Sequence, residues 1–479
     1  MQIKKKDINK LLLIFLSTHL LIWTLIPSIS NDNLPLDVIE ALAWGSNLDW
    51  GFNKHPPLSA LFPEIFYKIF GAQDWAYYLL SQIFVIFTFF IVFKFSEDFF
   101  KNKILSLISV LLLEGFYFYN FTTPEFNVNI CMLPFWTLTI YFFWKGIDNN
   151  NTTTWLLFGF FAALGVLSKY LFIYLLISID IFFIYLIIRK KFNYKCLVSL
   201  ISFFVVLLPH IIWLTENNYI TLTYALERTE LDEFHYLNHI SNPLLFLSKQ
   251  FVVITPFIFM FLFAVSKFKI KFNLKDKKLI FLLVINVIPI ILIFLTSLIT
   301  GAKIRTMWMT SFYPFFGVLF VYIFKNRIIL NKLNHFLIIF LIIFIISPLS
   351  YLYISISQTD KRTDYPGREI TKSIQLEWSE IIKKNGNKIK DPKIHYVGWD
   401  EWYAGNFSYN TKGTTVLMEN WIDKLLETKD KNYILIDVKD SPKKTCELVK
   451  MQPNLFLSYY FYIKEHHVCF VSNLKWKNK

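Results

Sequence analysis

Two kinds of side chain stand out for their type and spacing. Asp37 and Glu40 follow the first long apolar run, in Pro35-Leu36-Asp37-Val38-Ile39-Glu40, and Lys54-His55-Pro56-Pro57 comes next, with His55 eighteen residues beyond Asp37. Further on, Glu125 ends Thr122-Thr123-Pro124-Glu125, Lys169 interrupts a long apolar stretch, and Lys303 and Arg305 sit just before Trp308. A carboxylate aligns or deprotonates an attacking hydroxyl or phosphate, and cations stabilise an anion as it departs. Asp37, Glu40 and Glu125 are the candidates for the first task; His55, Lys54, Lys169, Arg305 and Lys303 are the candidates for the second.

Each has a plain structural reading beside the chemical one. Asp37 and Glu40 suit the first turn of an interfacial helix, where acids complement the helix dipole, and Pro56-Pro57 redirects the chain, with Lys54 and His55 as solvated flanks. A lysine at a helix end, such as Lys169, snorkels to lipid headgroups. Lys303 and Arg305 are interfacial anchors beside Trp308, and Glu125 caps a helix beginning near Asn127. Glu114 and Asp180 lie inside apolar runs, where an ionised side chain costs about 2.5–3.5 kcal/mol, so each is expected to be functional or paired. His235 and His239 have the i,i+4 spacing of two zinc ligands but no His-Glu-x-x-His pattern, so no metal site is assigned.

The elements that carry these residues follow from composition. The 479 residues are 55% apolar and 18% charged, against about 45–50% and 25% in soluble domains, which excludes a single soluble globule. Apolar runs near 11–28, 75–95, 103–121, 129–146, 154–168, 170–188, 196–214, 247–266, 279–299, 308–325 and 335–356 predict about eleven transmembrane helices, with a tight turn at Ser168-Lys169. Lys4-Lys5-Lys6-Lys10, Arg189-Lys190-Lys191-Lys195 and Lys267 through Lys278 place the charge-rich short loops, and the N-terminus, in the cytoplasm. The net charge of +14 is thereby explained by anionic headgroups and not by nucleic acid. Residues 1–30 also resemble a signal peptide, but the run is long for one and an uncleaved first helix is expected.

The expected domains are a transmembrane domain over 1–357, with a large first outer loop at 29–74, and a soluble extracytoplasmic α/β domain over 358–479. In the latter, strands are expected at 394–398, 414–418, 433–438, 455–464 and 467–474, and helices near 367–385, 419–428 and 441–450. Asp400-Glu401-Trp402-Tyr403-Ala404-Gly405-Asn406 reads as an aromatic turn, with carbohydrate recognition as the alternative. Cys446 and Cys469, the only cysteines of this domain, are expected to pair in an oxidising compartment.

An acid after the first span, a short amphipathic helix, and then Gly51-Phe52-Asn53-Lys54-His55-Pro56-Pro57 resembles the polyprenyl-phosphate-sugar transferases of the GT-C superfamily. The likeness is to the dolichyl-phosphate-mannose-protein mannosyltransferase and bacterial lipid A aminoarabinose transferase types. Thr122-Thr123-Pro124-Glu125, Leu167-Ser168-Lys169-Tyr170 and Pro209-His210-Ile211-Ile212-Trp213 resemble further elements of that family in the same order. Many relatives have adjacent Asp-Glu where this chain has Asp37-Val38-Ile39-Glu40. The resemblance implies a bacterial inner-membrane enzyme that moves a sugar from a polyprenyl-phosphate carrier to an extracytoplasmic acceptor, lipid A or another lipopolysaccharide component before a protein hydroxyl. No cofactor is required by these motifs, and a divalent metal is left open. The chain has no GxxxxGK[ST], GxGxxG or Asp-x-Asp pattern, which disfavours a soluble nucleotide sugar. A transporter or lipid flippase, or a noncatalytic envelope scaffold, are the rival classes; a transporter calls for charges on broken helices near midplane, whereas these residues gather in outer loops.

Overall fold

The computed structural model describes residues 5–229, 236–265, 273, 275–328, 333–385, 389, 391–417, 431–451 and 456–473. The helix expected at 419–428, His235 and much of the Lys267–Lys278 segment lie outside them. Two compact units result: Met1–Ser28, Trp50–Ser59 and Tyr78–Ser357 form the first, and Ile29–Asp49, Ala60–Tyr77 and Gln358–Lys479 form the second.

Apolar runs dictate the helices before residue 358. These are α1 (Lys5–Ser30), α2 (Leu36–Gly45), α3 (Leu58–Phe70), α4 (Asp74–Phe100), α5 (Lys103–Leu111), α6 (Val128–Asn149), α7 (Thr152–Ser168), α8 (Ile173–Ile188), α9 (Val198–Glu216), α10 (Ile220–Glu227), α11 (Asn238–Leu262), α12 (Lys277–Thr300), α13 (Phe316–Phe324) and α14 (Leu333–Ser357). Side-chain caps start several of them: Asn102 for α5, Asn127 for α6, Asn151 for α7 and Asp276 for α12.

Among the described residues, eight helices are long and apolar enough to cross a membrane, and a ninth span arises if the 3₁₀ turn Thr306–Phe312 and α13, bent by 57°, are taken together. The expectation of about eleven differs at two places. Over 152–168 the helix is apolar but has only 17 residues. Over 103–121 the chain forms nine-residue α5 and then two 3₁₀ turns, Leu112–Gly115 and Tyr117–Tyr119. The break has a tertiary cause, because a Cβ on Gly115 would stand 2.5 Å from the Cα of Phe257 in α11. Locally, the Asn120 amide donates to the Glu114 carbonyl at 2.9 Å, taking the place of a helical N–H.

The expected break after Ser168 is present. Ser168 Oγ donates back to the Leu164 carbonyl, Lys169 is extended at φ −166 and ψ 135, and a 3₁₀ turn at Tyr170–Phe172 leads into α8. Glu114 is indeed paired, whereas Asp180 is exposed on α8 and has no partner among the described residues.

In the second unit, strands β1 (Tyr396–Trp399), β2 (Thr415–Leu417), β3 (Asn432–Asp437), β4 (Phe456–Ile463) and β5 (His466–Asn473) form one sheet in the order β2-β1-β3-β5-β4. β1 runs parallel to β2 and β3; β5 runs antiparallel to β3 and β4. β3 is buried along its whole length, as a central strand covered on both faces must be. On one face α15 (Gly367–Asn385) and α16 (Glu401–Asn410) add Ile370, Ile374, Trp378 and Phe407 to Val397, Ile434, Ile436 and Phe470. On the other, α17 (Ser441–Lys450) brings Cys446 to Leu435, Phe456 and Val471.

The aromatic turn expected at Asp400–Asn406 is α16 instead. Asp400 caps it by accepting from the backbone of Trp402 and Tyr403, and Trp402 is buried in the unit. An Asp ahead of an acidic first turn is a helix-start signal that the run of aromatics obscured.

Candidate active site

The loop Trp50–Pro57 is shaped by residues far away in sequence. Phe52 N–H closes a turn onto the His55 carbonyl at 3.0 Å, and Thr221 Oγ1 of α10 donates to the Phe52 carbonyl at 2.6 Å. Gly51 has no side chain because the Trp213 ring of α9 lies where a Cβ would be, 2.4 Å away. His210, one turn before Trp213, touches the Trp50 carbonyl through Nδ1 at 2.5 Å and the Tyr170 hydroxyl through Nε2 at 2.8 Å. A carbonyl only accepts, so Nδ1 carries the proton and Nε2 accepts from Tyr170; a neutral imidazole satisfies both contacts. His210 therefore ties the His-Pro-Pro loop to the segment that begins with Lys169. Sequence reasoning placed His210 in a motif without giving it this task.

His55 is half-buried, with Tyr224 of α10 edge-on at a centroid distance of 6.1 Å. Burial, and then the charges of Lys169, Lys54 and Arg228, lower its pKa to about 3, so it stands as a neutral imidazole at physiological pH. Three cations gathered on one uncharged donor make a local field that favours an anion. Arg228 follows α10, its guanidinium over the Tyr224 ring at 6.0 Å. Nothing in its local sequence marks it for this place.

Lys169 is 8% exposed. Its Nζ donates to Asn129 Oδ1 at 2.6 Å and lies 5.2 Å from the centre of the Trp308 ring. It is thus held inside the first unit, unlike a lysine that snorkels. Asn129 lies in the first turn of α6, which Asn127 caps by accepting from the Asn129 and Ile130 amides. The capping task considered for Glu125 therefore falls to Asn127, and half-buried Glu125 sits in the bend just before.

Lys303 is exposed, and its backbone N–H donates to the Thr229 carbonyl at 3.2 Å, next to Arg228. Half-buried Arg305 precedes the 3₁₀ turn that carries Trp308, whose N–H donates to its carbonyl at 3.0 Å. His239 Nδ1 faces the Leu298 carbonyl of α12 at 3.1 Å. Among the described residues no group of three His, Cys, Asp or Glu side chains has metal-binding geometry.

Asp37 and Glu40 belong to the second unit. Asp37 lies in the first turn of α2, as expected, whereas Glu40 falls just past that turn. The i,i+3 spacing sets both carboxylates on one side of the helix, half-buried. The opposite side is held by α16, where Ile39 meets Gly405, and by Ala43 in the core.

Residues 54–213 match the family model described as dolichyl-phosphate-mannose-protein mannosyltransferase. The whole architecture is similar to ArnT from Cupriavidus metallidurans bound to undecaprenyl phosphate, at 11% identity over 96% of this chain and 97% of that one, with a TM-score of 0.58. Against the apo state of the same protein the TM-score is 0.59, again at 11% identity, over 96% and 98% of the two chains. The chain shares the fold of that protein. Within that fold, the matched segment holds Lys54, His55, Glu125, Lys169, His210 and Trp213. No curated protein sequence matches the chain.

Proposed function

We propose that this GT-C protein transfers a sugar from a polyprenyl-phosphate donor to an extracytoplasmic envelope acceptor, with lipid A or another lipopolysaccharide component favoured. The observation that carries this reading is the gathering of Lys169, Lys54 and Arg228 about neutral His55. Such a set suits a phosphate that gains charge as the anomeric carbon–oxygen bond breaks. Lys303 and Arg305 extend the cationic border, and His55 donates a hydrogen bond. On the acceptor side Asp37, Glu40 and Glu125 supply the carboxylates: one aligns the acceptor and takes its proton as the new glycosidic bond forms, while polyprenyl phosphate leaves. The mannosyltransferase family match and the structural likeness to a protein solved with undecaprenyl phosphate support a lipid-linked donor.

The proposed setting is a bacterial inner membrane, with the N-terminus cytoplasmic and residues 358–479 periplasmic, on the strength of the loop-charge bias. A protein hydroxyl is the second acceptor reading, favoured by the description of the matched family. Mass spectrometry of envelope glycolipids and glycoproteins from a deletion strain separates the two. Loss of a sugar from lipopolysaccharide supports the first; loss from glycopeptides with intact lipopolysaccharide replaces it with the second. Unchanged sugars in both fractions refute transfer.

A further inference from the structure

His19 of α1 and Glu114 of the first 3₁₀ turn form a pair inside the membrane-spanning unit, with Nδ1 to Oε1 at 2.6 Å and side-chain exposures of 0% and 1%. Phe15, Trp23, Phe89 and Phe344 surround the imidazole, with ring centroids 5.4 to 6.5 Å away. Ionisable groups are expensive in such surroundings and persist where they are paired; both Glu114 oxygens have partners, while His19 Nε2 is buried with none among the described residues. The bonds here lead in one direction. Glu114 Oε2 accepts from Asn120 Nδ2 at 3.2 Å, and Asn120 Oδ1 accepts from the Phe121 amide at 2.6 Å and from Ser347 of α14 at 3.0 Å. The Asn120 carbonyl accepts from Thr123 Oγ1 at 2.6 Å; Thr123 in turn accepts from Gln82 through Oγ1 at 3.0 Å and from Ser81 through its carbonyl at 2.5 Å. Two residues later comes Glu125, and then Asn127 caps α6, whose Asn129 holds Lys169.

The geometry points to His19 and Glu114 as positioning residues, whose buried pair fixes the turn 114–123 and thereby sets the carboxylate of Glu125 toward the acceptor; this rests on the role proposed above for Glu125. A network that merely welds the bundle together would lower stability when cut. It would not act through one distant carboxylate.

The test compares wild type with His19→Leu, His19→Gln, Glu114→Gln, Glu125→Gln and the double variant Glu114→Gln/Glu125→Gln, each purified as the full chain in nanodiscs. Transfer is read in membranes from the deletion strain, which hold the native donor and acceptor. Affinity is read with undecaprenyl phosphate, and loop order by hydrogen exchange. Expected for Glu114→Gln and His19→Leu are a fall in turnover approaching about 100-fold, affinity for undecaprenyl phosphate within about twofold of wild type, and faster exchange confined to residues 116–126. His19→Gln, which keeps a donor, recovers most of the turnover. The double variant is no slower than Glu125→Gln within about threefold, because both changes remove one function.

Unchanged exchange in 116–126 overturns the clamp, and multiplicative losses in the double variant overturn its action through Glu125. If Glu125→Gln turns over normally while Glu114→Gln speeds exchange, the role of Glu125 fails and the positioning inference falls with it, although the clamp stands. Should Glu114→Gln and His19→Leu not fold, Ser347→Ala loosens Asn120 from the other side and serves in the same comparison.

Discussion

Asp37 is the residue at which the structural and catalytic readings part most sharply. Asn keeps the size and the helix-start preference of Asp but cannot take a proton, so Asp37→Asn at equal folded protein is expected to lower transfer by about 100- to 10,000-fold. Activity within threefold of wild type in proteoliposomes would return Asp37 to a dipole-complementing helix residue. Lys169→Ala removes a buried charge-assisted donor, worth about 1.5–3 kcal/mol, and should weaken undecaprenyl phosphate binding roughly 10- to 100-fold at normal expression. Calorimetric titration giving wild-type affinity would take Lys169 out of the donor site. His55 makes a prediction in pH. Its imidazole titrates near 6.5 in the unfolded chain and about 3 in the folded one, so between these values the unfolded chain holds the extra proton. Its share of stability is complete above pH 6.5 and declines as pH falls toward 3. His55→Gln should therefore show a shallower acid loss of thermal stability in detergent between pH 6.5 and 4. Parallel curves for the two proteins would contradict a buried neutral imidazole.

At the scale of elements, the second unit is fastened by a covalent tie. Cys446 of α17 and Cys469 of β5 form a disulfide with a Cα–Cα distance of 5.6 Å and a sequence separation of 23. A closed loop of that length restricts the unfolded chain by about 3 kcal/mol. Cys446→Ser should cost roughly that amount in denaturant unfolding of the second unit, and reduction of the wild type should reproduce the loss. Equal midpoints with and without reductant would show that packing of α17 on β3 and β5 suffices.

For the molecule as a whole, orientation governs which reaction is open to it, since a periplasmic acceptor is reached only from one side. Reporter fusions after residue 357 are expected to be active outside, and fusions within 267–278 inside. A cysteine tag at 360 that reacts only with reagents delivered from the cytoplasm would invert the topology and remove lipopolysaccharide as acceptor.

Hydropathy and cap chemistry are local, and what depends on them was legible in the sequence. The long apolar runs, the break before Lys169, the five strands and the candidate pairing of Cys446 with Cys469 all follow from residue type and short spacing. So does the Gly51 to Pro57 loop, whose likeness to a GT-C motif drew attention to His55. What required tertiary structure lies at long sequence separations. The break in 103–121 exists because α11 passes against Gly115, and Glu114 finds its partner 95 residues away in His19. His210 binds a carbonyl 160 residues before it, a contact no local pattern encodes. His55 was read as a cation assisting phosphate binding, yet burial and the approach of Lys169 and Arg228 make it neutral. The sequence by itself determined which segments are apolar enough for a membrane and which loops carry charge, since both are sums over neighbouring residues. The charge state of His55 and the partner of Glu114 were decided only by folding, because desolvation and Coulomb interaction depend on distance in space.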